Sequence, residues 1–152
     1  MIGEIVPAMS SHARQMAPRM RAAEVQEVAD SYGMSPLDAL LFEVKRSSVA
    51  WSWVIDGEVA CMFGIVTPAA LSEVSYPWFL TTELVEQHSR QFARACKTLL
   101  PELLAHHPRM VGRVDARYMA SVRWLQWLGA KLGEPEPWGV GNALFRTFEI
   151  GG

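Results

Sequence analysis

The sequence predicts one α+β domain over residues 1–152, with a mixed, mostly antiparallel sheet of about six or seven strands and helices on both faces. Three observations support this class. The chain has 152 residues and half of them are apolar, which suits one compact core. Asp56-Gly57 separates two apolar runs and predicts a tight antiparallel hairpin. Helical and strand-like apolar patterns alternate along the chain without an internal repeat.

The first third of the chain predicts one strand and three helices. Met1–Val6 is apolar and ends at Pro7, which is typical of a short strand. Met16 and Met20 fall four residues apart on one face of the first predicted helix. The predicted helices are residues 12–22 with a cap at Ser10 or Ser11, Glu24–Tyr32 ending at Gly33, and a third that begins at Ser35-Pro36-Leu37-Asp38.

The middle of the chain predicts three strands and a long helix. Pro77 lies within the third of these strands and requires a bulge or an unpaired edge, so we expect the sheet to splay near its fourth and fifth strands. Pro101 should kink or restart the helix, because it cannot donate to the carbonyl of Lys97. The predicted elements are strands Val49–Ile55, Val59–Val66 and Val74–Leu80, a loop over Thr67–Ser72 and a helix over residues 83–107.

The last part of the chain predicts two strands around an amphipathic helix. Tyr118, Val122 and Leu125 recur at helical spacing and predict its buried face, while Arg117 and Arg123 point outward. The predicted elements are strand Met110–Asp115, a helix that stops at a glycine cap at Gly129, an irregular loop over Glu134–Asn142 and a last strand Leu144–Ile150.

The charges are unevenly distributed along the chain. Residues 1–89 carry five Lys and Arg against eleven Asp and Glu, whereas residues 90–131 carry eight against two. The basic segment indicates either a surface that meets an acidic partner or phosphates, or solvated helix faces that happen to be basic. The sequence has no apolar run of membrane-spanning length and no signal-peptide pattern at its start, so we expect a cytoplasmic protein without a membrane partner.

Several kinds of chemistry are excluded by missing patterns. The histidines have no metal-ligand spacing with the cysteines or acids, so no metal is expected. Cys61 and Cys96 are isolated in apolar surroundings, which is typical of buried thiols. The chain contains no Gly-x-Ser-x-Gly motif and no phosphate-binding Gly-x-x-x-x-Gly-Lys-Ser/Thr loop, so hydrolase and nucleotidase functions are not expected.

Several stretches resemble a known family. The hairpin WVIDGEVACMFGI resembles the second and third strands of the GNAT superfamily of N-acetyltransferases, and DARYMASVRWLQWLGAKLG resembles a later strand and helix of that superfamily. More narrowly, PWFLTTELVEQHSRQF, HHPRMVGRVDARYMASVRWLQWLGAKLGEPEPWG and FRTFEI resemble a group of small GNAT-like proteins encoded by tailed bacteriophages. That resemblance implies a protein of the host-cell cytoplasm that could also be associated with the virion.

The resemblance implies an acetyl-CoA site where the fourth strand passes into the next helix. The candidate cofactor-binding residues there are Leu80, Thr81, Thr82 and Arg90. The superfamily holds the pyrophosphate on a glycine-rich turn at a helix amino terminus, where glycine permits close approach and N–H groups are free. Residues 80–90 contain no glycine, which predicts a degenerate acetyl-CoA site.

The resemblance also implies a proton donor that the sequence lacks. The superfamily often places a tyrosine four residues before the helix-ending glycine, where its hydroxyl can protonate the leaving thiolate. Leu125 stands at that position here. Tyr118, on the same helix face, is a substitute candidate, and Glu73 and Glu83 flank the fourth strand as candidate bases. Each also suits an ordinary role, as a core aromatic or a solvated acid.

Trp127 is a candidate interface residue. Helical geometry places it opposite Tyr118 and beside Arg123, a composition typical of protein-binding hot spots. The alternative is that a neighbouring helix or loop covers it. The exposed arrangement predicts a protein partner from phage or host and leaves self-association open, while nucleic acid is not expected as a partner.

Two functions follow from these observations. The sequence favours a GNAT-like protein with a degenerate acetyl-CoA site that serves as a binding or assembly component in virion formation or host takeover. The alternative is an active acetyl-CoA-dependent N-acetyltransferase that acts on a host or phage protein. The state of the cleft between the fourth and fifth strands should discriminate them, and we expect Trp78, Tyr118 or Leu125 to border it.

Overall fold

The strands of the protein form one eight-stranded sheet in a computed structural model that describes residues 3–69 and 73–152. The strands are β1 (Glu4–Pro7), β2 (Val49–Ile55), β3 (Glu58–Val66), β4 (Val74–Thr81), β5 (Arg109–Asp115), β6 (Lys131–Leu132), β7 (Glu136–Trp138) and β8 (Ala143–Gly151). Their order is β1-β2-β3-β4-β5-β8-β6, with β7 paired to β8, and β4 and β5 are the parallel pair. This confirms the predicted α+β class and mostly antiparallel sheet.

Helices cover both faces of the sheet, as predicted. The helices are α1 (Ser10–Met16), α2 (Ala22–Tyr32), α3 (Pro36–Arg46), α4 (Glu83–Gln87), α5 (Ser89–His106) and α6 (Met119–Trp127). Leu40 of α3 shares a buried cluster with Met62 of β3, so the first three helices lie on one face. Val122 of α6 shares another cluster with Val114 of β5, which places the later helices on the opposite face.

Local sequence signals produced the expected turns and caps. Asp56 and Gly57 have φ angles of 49° and 80°, the backbone of a tight hairpin turn that favours glycine at its second position. Gly33 ends α2 with a φ of 67°. The Asp38 N–H donates to Ser35 Oγ at 3.2 Å and fixes the start of α3.

The first helix differs from its predicted bounds. Ser10 and Ser11 lie inside α1 rather than capping it, and Met9 is the cap residue, whose N–H donates to His12 Nδ1 at 3.2 Å. The helix ends at Met16 and continues as a 3₁₀ turn, because Pro18 has no N–H to extend the α-helical ladder. Met16 and Met20 are both buried, although Met20 lies outside α1. The predictions for residues 1–2 and 70–72 lie outside the described residues.

The long predicted helix is interrupted before Pro101, and Pro101 does not restart it. Its interruption is at His88, between α4 and α5, where φ and ψ are −121° and 38°. Pro101 lies inside α5 without ending it. Pro101 is exposed, so the single carbonyl that loses its intrahelical donor can be hydrated instead.

Two predictions in the last part of the chain were also wrong. Tyr118 precedes α6 as its cap residue, with φ and ψ of −94° and 83°, so Val122 and Leu125 form the buried face without it. The loop predicted over Glu134–Asn142 contains β7, which pairs with β8. Proline suits β7 because it has one strand neighbour and lies at an edge.

The sheet splays between β4 and β5, as predicted. Within the described part of the chain, their pairing covers two positions, Val74 with Arg109 and Ser75 with Met110. Pro77 follows and has no N–H to offer a neighbouring strand. At the far end of β4, Thr81 donates its N–H to Glu24 and accepts from the Arg21 N–H, so α2 rather than β5 meets this edge. Strand alternation turns the N–H and C=O of Phe79 to the same open side.

Gly112 of β5 allows close packing beside this opening. A Cβ built at Gly112 would lie 2.5 Å from Phe148 Cζ, and Phe148 is itself buried. We expect Gly112→Ala to lower the free energy of unfolding by about 1–3 kcal/mol, because the ring must shift within a packed core. Urea denaturation measures this change, and adding Phe148→Leu should restore part of the loss. A Gly112→Ala variant as stable as the wild type would contradict the packing described.

Candidate functional site

A cleft of about 700 Å³ lies where β4 and β5 part. It is lined by residues of β3, β4 and β5 and by residues of α2, α5 and α6, so it contacts the helices of both faces. Trp78 and Leu125 border it as expected from the sequence, whereas Tyr118 does not. The cleft is open between the strands, and its two ends differ in chemistry.

The acidic end of the cleft is formed by Glu24, Glu27 and Glu43. Glu27 is half-buried in α2. Loss of hydration raises its pKa to about 8, with a further contribution from the neighbouring negative charge of Glu24. The Asp115 N–H lies 3.4 Å from Glu27 Oε2, a long hydrogen bond that leaves most of the carboxylate's accepting capacity unused. Glu27 can therefore exchange a proton near neutral pH.

Glu24 is more tightly engaged than Glu27. Loss of hydration raises the pKa of Glu24 to about 7, although hydrogen bonds from Thr81 oppose the shift. Glu24 Oε2 accepts from the Thr81 N–H at 3.0 Å and from Thr81 Oγ1 at 2.6 Å. These bonds hold Glu24 against the end of β4. Of the two glutamates on α2, Glu27 is thus the one with a carboxylate available to a ligand.

An ion-pair network fixes α2 against the end of β5. Arg117 Nη2 donates to Asp115 Oδ2 and to Asp30 Oδ2, each at 2.6 Å. Asp115 is fully buried at the end of β5, and Asp30 lies on α2, three residues after Glu27. Because Arg117 bonds both elements, it holds Glu27 beside the opening of the sheet.

Two arginines lie on aromatic rings near the acidic end. Arg46 pairs with Glu43 and lies 4.9 Å from the centroid of Phe42. Arg113 lies 4.6 Å from the centroid of Trp138, and no carboxylate of the described residues pairs with it. Stacking limits the motion of both guanidinium groups. The acidic end therefore presents carboxyl groups and fixed cations together.

The aromatic end of the cleft is formed by Phe79, Phe92 and Trp124. Their ring centroids lie 5.2 Å apart for Phe79 and Trp124, 5.6 Å for Phe92 and Trp124, and 5.3 Å for Phe79 and Phe92. Leu99 and Leu125 extend this apolar wall. Such a lining suits an extended, largely uncharged ligand, because a charged group would lose its hydration there.

The two cysteines line the cleft as neutral thiols. Cys61 is buried, Cys96 is half-buried, and both are free of disulfides. Burial raises the pKa of Cys61 well above its ordinary range and that of Cys96 to about 12. The thiolate is the nucleophilic form of cysteine, so neither side chain is activated for covalent chemistry.

The catalytic candidates taken from the sequence lie outside the cleft. Glu73 and Glu83 are exposed, and neither contributes to the lining. Tyr118 is half-buried, with the Arg117 guanidinium 5.7 Å from its ring centroid. Burial raises the pKa of Tyr118, and the nearby Asp115 adds to the shift. The structure brings none of these three side chains to the opening between β4 and β5.

The four candidate cofactor-binding residues differ in whether their polar groups are still available to a ligand. Thr82 Oγ1 donates to the Ala60 carbonyl and accepts from the Leu84 N–H, so this threonine already caps α4. Leu80 and Thr81 are buried and line the cleft. Arg90 is exposed in the first turn of α5, a helix whose start has no side-chain cap.

The interface candidates are on the outer surface of α6. Trp127 is 49% exposed, which agrees with its expected position opposite the buried face. Lys97 Nζ of α5 lies 4.3 Å from its ring centroid, and Arg123 is also exposed. This surface is separate from the cleft lining.

Among the described residues, no cluster of His, Cys, Asp and Glu could hold a metal ion, and no helix could cross a membrane.

Sequence reasoning missed Glu24 and Glu27. The available signal was their helical spacing with Val28 and Ser31, which places two acids on the buried side of α2. An acid on such a face is either paired or part of a site. Recognising the site also requires the contact of α2 with the end of β4, which joins residues 57 positions apart in the sequence.

The fold is that of GNAT-superfamily acetyltransferases. No protein-family model and no curated protein sequence matches the chain. A ribosomal-protein-S18-alanine N-acetyltransferase from Escherichia coli is 13% identical, with a TM-score of 0.68 over 98% of this chain and 93% of that one. A GNAT-superfamily phosphinothricin acetyltransferase from Sinorhizobium meliloti, in complex with AcCoA, is 15% identical, with a TM-score of 0.65 over 99% and 88%. At these identities the likeness establishes the fold alone.

Proposed function

We propose that this protein transfers an acyl group, in the simplest case acetyl, from a coenzyme A thioester to an amine. The observation that carries the proposal is the open cleft between β4 and β5, which joins an apolar end to an acidic end. The apolar end suits the uncharged arm of the coenzyme, and the acidic end suits a cationic amine. The two reactants would approach from opposite faces of the sheet and meet at its opening.

Glu27 is the proposed base. An ammonium group must lose a proton before its nitrogen can attack a carbonyl, and a base with a pKa near the working pH serves this best. The pKa of Glu27 is raised to about 8, and its carboxylate makes one long hydrogen bond. When bound, the thioester would supply the acyl carbon, whose bond to sulfur breaks as the bond to nitrogen forms. The first proton of the ammonium passes to Glu27 and from there to solvent, and the second, lost as the amide forms, ends on the sulfur.

The backbone of β4 is the proposed support for the reacting carbonyl. Thr81 turns its N–H and C=O away from β3, and strand alternation gives Phe79 the same orientation. The Phe79 N–H therefore faces the opening and can donate to an oxygen that gains negative charge. Pro77, two residues earlier, keeps this part of the edge free of β5.

The phosphates of the coenzyme would bind differently from the arm. The Thr82 N–H already donates to the Ala60 carbonyl, and Glu83 and Glu86 place negative charge in the first turn of α4. The start of α5 has no side-chain cap and carries Arg90, so its N–H groups and this guanidinium are the proposed phosphate ligands.

Thermal unfolding with acetyl-CoA tests coenzyme binding. We expect acetyl-CoA to stabilise the protein by on the order of 2–4 kcal/mol once its free concentration is about 100- to 1,000-fold above Kd. Thiol release from acetyl-CoA in the presence of lysine-containing and amino-terminal peptides then tests transfer. A protein that acetyl-CoA does not stabilise at millimolar concentration would not be an acetyl-CoA-dependent enzyme.

The second candidate is a phage-encoded, non-catalytic binding or assembly component in virion formation or host takeover. Two features of α4 support it. The side chain of Thr82 is already hydrogen-bonded, and the acidic residues in the first turn would repel a pyrophosphate. Exposed Trp127 and Arg123 would then form the protein-binding surface, whether the partner is a phage or host protein or a second copy of the chain. The two candidates predict opposite outcomes with acetyl-CoA, and stabilisation would exclude a site that has lost the coenzyme.

A further inference from the structure

Arg113 is a cation of the cleft lining that has no carboxylate partner. Among the described residues, the arginines of the lining are Arg21, Arg46 and Arg113. Arg21 pairs with Glu86, and Arg46 pairs with Glu43. No ion pair within the described part of the chain includes Arg113. Because a guanidinium matches the geometry of a carboxylate, Arg113 is a candidate for binding an anionic group of a ligand.

The guanidinium of Arg113 is held in place by the ring of Trp138, whose centroid lies 4.6 Å away. Trp138 contacts Tyr32 of α2 edge-on, with a centroid distance of 6.3 Å. The residues after Trp138 bind the end of α2, since the Gly141 N–H donates to the Asp30 carbonyl at 2.7 Å. These contacts limit the freedom that Arg113 would lose on binding an anion, so the cation is already positioned.

Arg113 and Glu27 lie on the same face of the sheet. The Asp115 N–H is 3.4 Å from Glu27 Oε2, and Asp115 follows Arg113 by two residues on β5. Two residues of strand span about 7 Å, and their side chains point to the same face. Val114, between them, packs with Val122 on the opposite face. The cation and the proposed base are therefore placed to bind the two ends of one small molecule.

The unpaired guanidinium restricts the kind of amine that fits this end of the cleft. A lysine side chain or a polyamine brings a positive charge and no anion, so it would remove water from Arg113 without pairing it. A polyamine would also place further positive charge beside the guanidinium. An amine that carries a carboxylate pairs with Arg113 and still presents its ammonium group to Glu27.

We propose that the amine acceptor carries a free carboxylate, as a free amino acid does, and that Arg113 binds this carboxylate while Glu27 faces the ammonium group. The inference rests on the proposed function, because it names the class of acceptor for the same cleft. Two parallel N–H···O bonds from the guanidinium would fix the orientation of the acceptor as well as pair its charge. Arginine does not release its proton at physiological pH, so Arg113 binds and orients the acceptor and takes no part in proton transfer.

A comparison of amino acids with their α-carboxamides tests the proposal on the wild-type protein. Each carboxamide keeps the amine and the side chain of its amino acid and lacks the negative charge. Thiol release from acetyl-CoA is measured with the common amino acids and with the matching carboxamides. We expect kcat/KM for the best amino acid to exceed that of its carboxamide by about 10- to 100-fold, as for the loss of one charged hydrogen-bonded contact.

Arg113→Gln should remove this preference. We expect kcat/KM for the amino acid to fall by about 10- to 100-fold, mainly through a higher KM, and that for the carboxamide to stay within about twofold. Arg113→Lys keeps the charge without the paired N–H groups and should recover part of the loss. Arg109→Gln is the matched control and should leave both substrates unaffected, because Arg109 is exposed on the same strand and does not line the cleft.

The outcomes separate this inference from the proposed function. Equal kcat/KM of the wild type for an amino acid and its carboxamide would overturn the inference, and so would a preference for the carboxylate that persists in Arg113→Gln. An equal loss for both substrates in Arg113→Gln would show a general distortion instead of carboxylate binding. Transfer to peptide lysines or polyamines but to no free amino acid would overturn the acceptor class and leave acyl transfer standing. Failure of the wild type to bind acetyl-CoA would overturn both.

Discussion

Glu27→Gln is expected to lower the rate of acyl transfer by roughly 100- to 10,000-fold, because the amide cannot accept the proton of the amine. The wild-type rate should rise with pH and level off above about pH 8, where Glu27 is ionised. The variant should lose that rise. Glu73→Gln and Glu83→Gln are matched controls, since both acids are exposed outside the cleft and should leave the rate within about twofold. A pH profile unchanged in Glu27→Gln would assign the base elsewhere.

The same variant is expected to change the pH dependence of stability. The pKa of Glu27 is raised from an ordinary 4.5 to about 8 in the folded protein, where Glu24, Asp115 and Arg117 face it. Between those pH values the folded chain keeps a proton that the unfolded chain loses, so stability falls as pH rises. Glu27→Gln has no carboxyl group to ionise, so the part of the fall in stability that comes from Glu27 is absent in the variant. Urea denaturation should show the variant gaining stability relative to wild type from pH 5 to pH 9, and parallel curves would contradict the shift.

Ala95→Trp is expected to raise the Kd for acetyl-CoA by roughly 100-fold or more, because the added indole fills space that the arm of the coenzyme needs. Ala95 lies on α5 and lines the cleft. Since the cleft is already open there, the change should lower Tm by no more than about 4 °C. Calorimetric titration with acetyl-CoA and thermal unfolding measure both effects.

Ala93→Trp is the control for this substitution. Ala93 is on the same helix, but it lies in a shallow groove beside Lys97 and Trp127, away from the cleft. Two residues of helix turn the added side chain by about 200°, so it cannot reach the aromatic end. We expect wild-type affinity for acetyl-CoA. Equal losses in the two variants would mean that the coenzyme does not occupy the cleft.

Elements with strong local signals were predictable from the sequence. The Asp56-Gly57 turn and the Ser35 cap depend on short-range backbone preferences that tertiary contacts did not override. Pro77 similarly predicted the splay, because its lack of an N–H holds in any context. Strand β7 was missed for the opposite reason. Its proline-rich sequence has little strand preference, and only pairing with β8 at an edge makes it a strand.

The site itself was much less predictable. Glu73 and Glu83 were chosen for their nearness in sequence to the fourth strand, yet both point to solvent. Glu27 comes to the opening through the packing of α2 against the ends of β4 and β5, a contact between residues 88 positions apart. Its raised pKa depends on that packing, since a carboxyl on an isolated helix would be hydrated. The local sequence pattern therefore predicted the opening between β4 and β5 but not the position of Glu27 beside it.

Pro77 also determines when the cleft exists. A strand edge that carries N–H groups along its whole length would pair with β5 whenever no ligand lay between them. Because Pro77 interrupts the donors of β4 just after Ser75, the two strands cannot close in that way. A ligand then meets a gap that is already formed, and its binding need not be coupled to separating strands. The opening thus depends on one backbone position. Substitution of the surrounding side chains can change which molecule binds in the cleft without closing the sheet.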